Sequence, residues 1–354
     1  MKMSFRWYGT GNDSVTLSQI KQIPGVEEIV WALHNKQPGE IWEIDEIAEV
    51  KKELDEYGLG MEVVESVNVH DDIKIGLDTR DQYIDNYIQT LRNLSQFGVK
   101  VVCYNFMPIF DWTRTDLFHP LPDGSTALFY EKNKIKDDPK EMADYILRET
   151  KGYTMPGWEP ERMEQLSMLF EKYKDVDKET LWENLKYFLE KLMPVCHECG
   201  IKMAIHPDDP PWDIFGLPRL IVDEESVTRF LTMVDDPYNC LTLCSGSLGA
   251  NPNNCVADII RKHCDRIAFM HIRNVKHYEN GDFSEVSHRD QDGDTGILEI
   301  VRALHDNGFD GYVRPDHGRH IWNEKCRPGY GLYDRALGIM YLLGCFDMLD
   351  RLNG

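Results

Sequence analysis

Eight short β-rich runs alternating with amphipathic helical stretches, no glycine-rich phosphate loop after the first run, and one long gap after the fourth predict an α/β chain closed as a TIM-type (β/α)8 barrel. The runs are Ser4 to Tyr8, Val26 to Leu33, Met61 to Val67, Val99 to Asn105, Ile201 to His206, Cys240 to Cys244, Ile267 to Ile272 and Gly311 to Arg314. Strands that alternate with helices pair in parallel through crossovers. An open doubly wound sheet would usually announce itself with a G-x-G-x-x-G turn after its first strand. Here the nearest match, Gly9-Thr10-Gly11 followed by Asn12, Asp13 and Ser14, lacks the third glycine and reads as a turn. No close sequence repeat is present.

The clearest helix carries Leu181, Leu185, Phe188, Leu189, Leu192, Met193 and Cys196 on one face, at the spacing of a single buried stripe. Asp177 is its expected N-cap, Glu179 and Glu183 lie near its positive end, and Gly200 is its expected stop. Further helices are expected over Trp42 to Tyr57, Gln82 to Phe97, Met163 to Tyr173, Glu224 to Val234, Ala257 to His263, Ile297 to Asn307 and Tyr333 to Leu349. The gap from Phe106 to Asp177 begins MPIFDWTRTDLFHPLPDG. Residues 106–177 are therefore read as an insertion within one 1–354 barrel domain, either a lid over the active-site face or an insert for packing or dimerisation.

The 354 residues are 42% hydrophobic and 28% charged, ordinary values for a folded chain with a large core. Asp and Glu outnumber Lys and Arg by 61 to 39, for a net charge of −22, and no basic run stands out. Such a surface repels nucleic acid and anionic lipid, so neither is an expected partner. A small anionic substrate needs a local cation, which makes a metal useful. The N-terminus MKMSFRWYGTGND has no apolar signal core, and no stretch approaches the roughly 18 apolar residues of a membrane span, so a cytoplasmic protein is expected. The nine cysteines then read as free thiols, buried or ligating.

Side chains at the C-terminal ends of barrel strands converge on one mouth. The fifth run ends KMAIHPDDPP with His206, the sixth LTLCSGS with Cys244, the seventh AFMHIRN with His271 and the eighth YVRPDHGR with Asp316. Four good ligand types thus occupy equivalent positions on four consecutive strands. By period-two alternation His271 shares a face with Ile267, Phe269 and Arg273, and Asp316 with Tyr312 and Arg314. Two histidines, a thiolate and a carboxylate suit a borderline divalent ion such as Mn²⁺, Fe²⁺, Co²⁺ or Zn²⁺. A closed tetrahedral Zn²⁺ site would be structural, whereas Mn²⁺, Fe²⁺ or Co²⁺ leave room for a chelating hydroxy acid.

The runs FRWYG, ESVNVH, VVCYNFMP, IHPDDPP, CSGS, VRPDHGR and RPGYG resemble the mannonate dehydratase family, and the resemblance covers essentially the whole chain. It implies a xylose isomerase-like TIM barrel, Mn²⁺-type activation, a homodimer, and conversion of D-mannonate to 2-dehydro-3-deoxy-D-gluconate and water in hexuronate (glucuronate) breakdown. It also implies His317 and Tyr330 as the acid/base pair, with the two protons unassigned between them. Tyr333, the competitor to Tyr330, is better placed as the start of the last helix. Arg6, Asn105, Arg114, His277 and Arg314, at strand ends or in the insertion, are candidates for substrate binding, with His288 a further one in a rim loop over His288 to Gly296. Glu65 and His70 belong to the same rim, orienting a ligand or touching substrate.

Two other clusters read as structure. Cys196-His-Glu-Cys199 lacks a second pair at zinc-ribbon spacing and falls at a helix end. Asp290-Gln-Asp-Gly-Asp294 lacks the distal Glu of a calcium loop. Ser245-Gly-Ser-Leu-Gly249 follows a ligand and would let backbone approach a bound substrate. The enzymatic alternative is a sugar isomerase or epimerase of the same barrel group, whose metal site is usually richer in carboxylates. A nuclease is disfavoured by the charge. A non-catalytic sugar-acid sensor would have no use for His317 and Tyr330.

Overall fold

The computed structural model describes residues 1–136, 138–149 and 166–353. The β-rich runs form strands β1 (Lys2–Arg6), β2 (Val26–Trp31), β3 (Gly60–Glu65), β4 (Val101–Tyr104), β7 (Lys202–Ile205), β8 (Asn239–Cys244), β9 (Ile267–Ile272) and β12 (Tyr312–Pro315). They close into one barrel in the order β1-β12-β9-β8-β7-β4-β3-β2, every neighbouring pair parallel. Alternation sorts the strand residues into two sets: Val30, Val63, Val101, Cys103, Phe269 and Tyr312 cluster in the lumen, and their neighbours join the larger core beneath the helices. Ile267 departs from the expected pattern. A register shift between β8 and β9 at this point turns it into the outer core while Phe269 stays inside, so it does not share the face of His271.

The expected helices are present as Ile44–Glu56, Arg80–Ser95, Leu166–Tyr173, Lys178–Cys199, Glu224–Met233, Val256–His263, Ile297–Asp306 and Tyr333–Asn353. Positions 163–165, expected to begin one of them, lie outside the described residues. The Lys178–Cys199 helix starts where the Asp177 carboxylate accepts the Thr180 N–H, and stops at Gly200, whose φ of 66° favours glycine. Its Phe188 is fully buried against the rings of Tyr87, Tyr104 and Phe106, so Phe188→Ala would cost about 3–5 kcal/mol. Cys196 is buried and Cys199 half-buried at its end, and all nine cysteines are free. Among the described residues no helix is long and apolar enough to cross a membrane.

A second sheet, which the sequence reading lacks, stands beside the mouth. The insertion opens with the hairpin β5 (Asp116–Pro120) and β6 (Thr126–Tyr130), and the segment after β9 supplies β10 (Val275–His277) and β11 (Phe283–Glu285). They pair antiparallel in the order β10-β11-β6-β5, so the start of the insertion is stitched to the barrel rim. Positions 137 and 150–165 of the insertion lie outside the described residues. The Gly9–Gly11 segment is a turn, its geometry held by the Asp13 carboxylate, which accepts the N–H groups of Tyr8 and Val15.

Candidate active site

Strand register brings the late strand ends together. Cys244 lies opposite His271, and His271 opposite Arg314. Just past their strands, the His206 N–H donates to Tyr104 O and the Asp316 N–H to Ile272 O, which extends the ladder by one step at each position. The ligand atoms of His206, Cys244 and His271 all fall within 4.8 Å of one another. Asp316 lies beside two of them, with Oδ2 3.4 Å from Cys244 Sγ and Oδ1 3.7 Å from His271 Nδ1, but outside the set of three that all fall within 4.8 Å.

Three observations favour a divalent ion at the His206, Cys244 and His271 cluster. Pro207 O can only accept, so the 2.7 Å contact from His206 Nδ1 places the proton on Nδ1 and leaves the Nε2 lone pair free to ligate. His271 Nε2 and Glu65 Oε2 are buried without a hydrogen bond, 3.4 Å apart. The third observation is charge balance. Glu65, Asp209, Glu285 and Asp316 are interlocked with Arg114, Arg273 and Arg314, four carboxylates against three guanidiniums. Ionising the Cys244 thiol would leave two negative charges, which one divalent cation neutralises. Burial would raise the Asp316 carboxyl, but the neighbouring Arg314 and Arg273 guanidiniums outweigh it and hold it well below the usual carboxylate range. Asp316 therefore stays an anion.

Arg273 is the hub of the surrounding network. Its guanidinium donates to Asp316 Oδ2 at 2.7 Å and to Asp209 Oδ2 at 2.6 Å. Asp209 is also held by both terminal nitrogens of Arg114, at 2.7 and 3.0 Å, and Arg114 reaches on to Glu285 Oε1 at 2.8 Å. Glu285 in turn meets His317 Nδ1 at 2.9 Å, and His317 Nε2 lies 3.0 Å from the Tyr330 hydroxyl. His317 and Tyr330 are thus buried in direct contact beside Asp316. Burial pushes the Tyr330 phenol well above its ordinary value. Gly246 makes this arrangement possible: a Cβ there would lie 2.0 Å from Arg273 Nε and 2.8 Å from Arg273 Cβ. The small residues after Cys244 make room for a guanidinium, whereas the sequence suggested room for substrate.

The other expected residues are dispersed. Arg6 is anchored on the carbonyls of Trp7 and Val30, lies 3.4 Å from His34 Nε2, and sits over the Tyr8 ring. Asn105 donates to Asp111 Oδ2 at 2.7 Å, and burial pushes that carboxyl up to about 6. Arg114 and Arg314 are buried and committed to carboxylates, Arg314 to Glu65 and Asp316 at 2.9 Å each. His277 binds Gly249 O at 2.7 Å, away from the ligand cluster, and the His288 ring packs against Gly338 of the last helix. Glu65 faces His271, whereas His70 caps the Asp71–Ile75 helix and stacks on Tyr83. Tyr333 begins the last helix, half-exposed against Trp322. Sequence reasoning missed Glu285 and the part played by Asp209. Asp209 stood within HPDDPP, and Arg273 was visible by alternation from His271, but three-residue β11 carries no strand signal of its own.

A closed parallel barrel with nitrogen, sulfur and carboxylate side chains gathered at its C-terminal mouth has the xylose isomerase-like TIM-barrel fold. The fold is shared with a xylose isomerase domain protein from Planctomyces limnophilus, at TM-score 0.57 and 11% identity over 99% of each chain. The family model for D-mannonate dehydratase (UxuA) matches residues 1–353. Mannonate dehydratase 1 of Bacillus licheniformis is 63% identical over 352 residues, 99% of this chain and 96% of the relative. The crystal structure of mannonate dehydratase from Streptococcus suis serotype 2 superposes at TM-score 0.89 with 44% identity, covering 100% of this chain and 96% of that one. The chain belongs to the D-mannonate dehydratase family, a family of hydro-lyases.

Proposed function

We propose that the protein is a cytoplasmic mannonate dehydratase that eliminates water from D-mannonate to give 2-dehydro-3-deoxy-D-gluconate in hexuronate breakdown, with Mn²⁺, or Fe²⁺ or Co²⁺, held by His206, Cys244, His271 and Asp316. The observation that carries this reading is the His317–Tyr330 contact of 3.0 Å immediately beside that ligand set. A divalent ion bound there supplies Lewis-acid stabilisation of the negative charge that builds on the substrate carboxylate as the C2 proton leaves. Loss of that proton and departure of the C3 hydroxyl form the C2–C3 double bond of an enol, which becomes the 2-keto product. The reaction needs one group to take the C2 proton and one to protonate the leaving oxygen, and His317 and Tyr330 supply the pair. Their hydrogen bond lets a proton pass between them.

Around this pair, Trp112 from the insertion lies with its ring centroid 5.2 Å from that of His317 and helps keep water off the imidazole. Arg6 and Asn105 are the polar groups we assign to the substrate chain, while Arg114 and Arg314 hold the carboxylates beside it. The 106–177 insertion is read as part of one barrel domain, its hairpin bracing the mouth. A homodimer would use the last helix, which exposes Tyr333, Leu337, Met340, Met348 and Leu352. The test of function is direct. Chelated protein restored with Mn²⁺ is incubated with D-mannonate and assayed for a 2-keto-3-deoxy acid; no metal-dependent product would refute the reading.

A further inference from the structure

The second sheet does more than cover the rim. β11 is paired on one side with β10, where Glu285 lies opposite Val275, and on the other with β6, where Phe283 lies opposite Tyr130. Glu285, at its end, is buried among charged partners. Arg114 donates to Oε1 through Nε at 3.1 Å and Nη2 at 2.8 Å, while Oε2 and Oε1 both lie 2.9 Å from His317 Nδ1.

A neutral imidazole has one N–H and one lone pair, and its neighbours decide which nitrogen carries which. Nδ1 faces an ionised carboxylate, which can only accept, so the proton belongs on Nδ1. The competing contact is Arg273 Nη1 at 3.1 Å, which can only donate and would favour the opposite tautomer, but Glu285 offers Nδ1 two anionic oxygens, both closer at 2.9 Å. With Nδ1 protonated, the Nε2 lone pair points at the Tyr330 O–H.

We propose that Glu285 is a positioning residue that fixes His317 as its Nδ1–H tautomer, so that Nε2 can accept a proton from Tyr330, and that the insertion's hairpin and Arg114 exist in part to hold Glu285 there. The proposal rests on the acid/base reading of His317 and Tyr330. It makes the second sheet part of the catalytic apparatus although none of its strands carries a proton-transfer group.

Glu285→Gln is the informative substitution, because it is isosteric and its outcome follows from the neighbours. Arg114 supplies two donors to the Oε1 position, so the amide oxygen settles there and the NH2 takes the Oε2 position. The NH2 then donates to His317 Nδ1 and drives the ring proton onto Nε2, the wrong tautomer for accepting from Tyr330. The expected result is a fall in kcat of about 10²–10⁴-fold, as for a misassigned tautomer in a catalytic triad, with KM within about threefold. Glu285→Asp keeps the acceptor charge and should recover part of kcat.

Imidazole ¹⁵N spectra of the metal-free protein, with the His317 signal assigned from His317→Gln, should show Nδ1 protonated in the wild type and Nε2 protonated in Glu285→Gln. A wild-type His317 protonated on Nε2 would overturn the proposal, and so would Glu285→Gln with kcat unchanged. A lost kcat with the tautomer unchanged would also overturn it. The spectra do not depend on turnover, so failure of the dehydratase reading in the wild-type assay is distinguishable from failure of the tautomer claim.

Discussion

Replacing Gly246 with alanine should damage the site from a position that touches no ligand atom. The backbone offers no objection, since Gly246 sits in the single-turn Ser245–Leu248 helix, and helix propensity alone favours alanine by about 1 kcal/mol. Space decides the sign. The new methyl would lie 2.0 Å from Arg273 Nε and 2.8 Å from both Cβ and Cδ, against ordinary carbon contacts of about 3.5–4 Å. Arg273 Cβ is fixed to strand-end backbone that donates to Ser245 Oγ, so the side chain cannot swing clear without leaving Asp316 and Asp209. Overpacking costs about 1–3 kcal/mol, and loosening a buried charge pair adds to it. A net loss of about 3 kcal/mol is expected, which lowers Tm by about 4 °C for a chain of this length. Asp316 would lose its Nη1 donor, and losing such an outer partner lowers metal affinity about 10–100-fold. Thermal unfolding and Mn²⁺ titration of Gly246→Ala read both effects. A Tm within 1 °C of wild type together with unchanged affinity would refute the packing argument.

Tyr330→Phe removes the hydroxyl next to His317 and should lower kcat about 10²–10⁴-fold with little change in KM, as read from steady-state kinetics. Cys244→Ser replaces a soft thiolate with a weakly acidic hydroxyl and should weaken Mn²⁺ binding at least about tenfold by calorimetry. Asp209 contributes a pH dependence: burial alone would raise its carboxyl, but Arg114 and Arg273 outweigh this and hold it below the usual range. Its folded pKa is thus below the unfolded value of about 3.9, so its stabilisation is complete above that value and is lost as pH falls through it toward the folded one. Urea unfolding should accordingly show a smaller stability loss between pH 6 and pH 3.5 in Asp209→Asn than in wild type, and equal losses would count against this assignment.

The barrel, and the meeting of His206, Cys244 and His271 at its mouth, were legible because both follow from short-range periodicity. His206, Cys244, His271 and Asp316 each lie at or just past the end of a strand, and parallel register does the rest. The second sheet was not legible as a whole, although part of it left a trace: Asp123-Gly124 between DLFHP and TALFY is a hairpin signal. β10 and β11 have three residues each and gain their structure from pairing with that hairpin, so no local pattern could reveal them. Arg114 and Arg314 show a related limit. A sequence reveals a cation at a strand end, but only packing shows whether the cation faces solvent or, as here, is buried against carboxylates. Ile267 marks where alternation itself failed, at the shift between β8 and β9.

The central claim joins one metal site to one reaction, and a stoichiometric titration tests both together. Chelated protein is titrated with Mn²⁺ while 2-keto-3-deoxy acid formation from D-mannonate is followed. The account predicts activity that rises linearly and levels off at about one ion per chain, the single site that the charge balance describes. Full turnover by the chelated protein, or none at any level of occupancy, would contradict it.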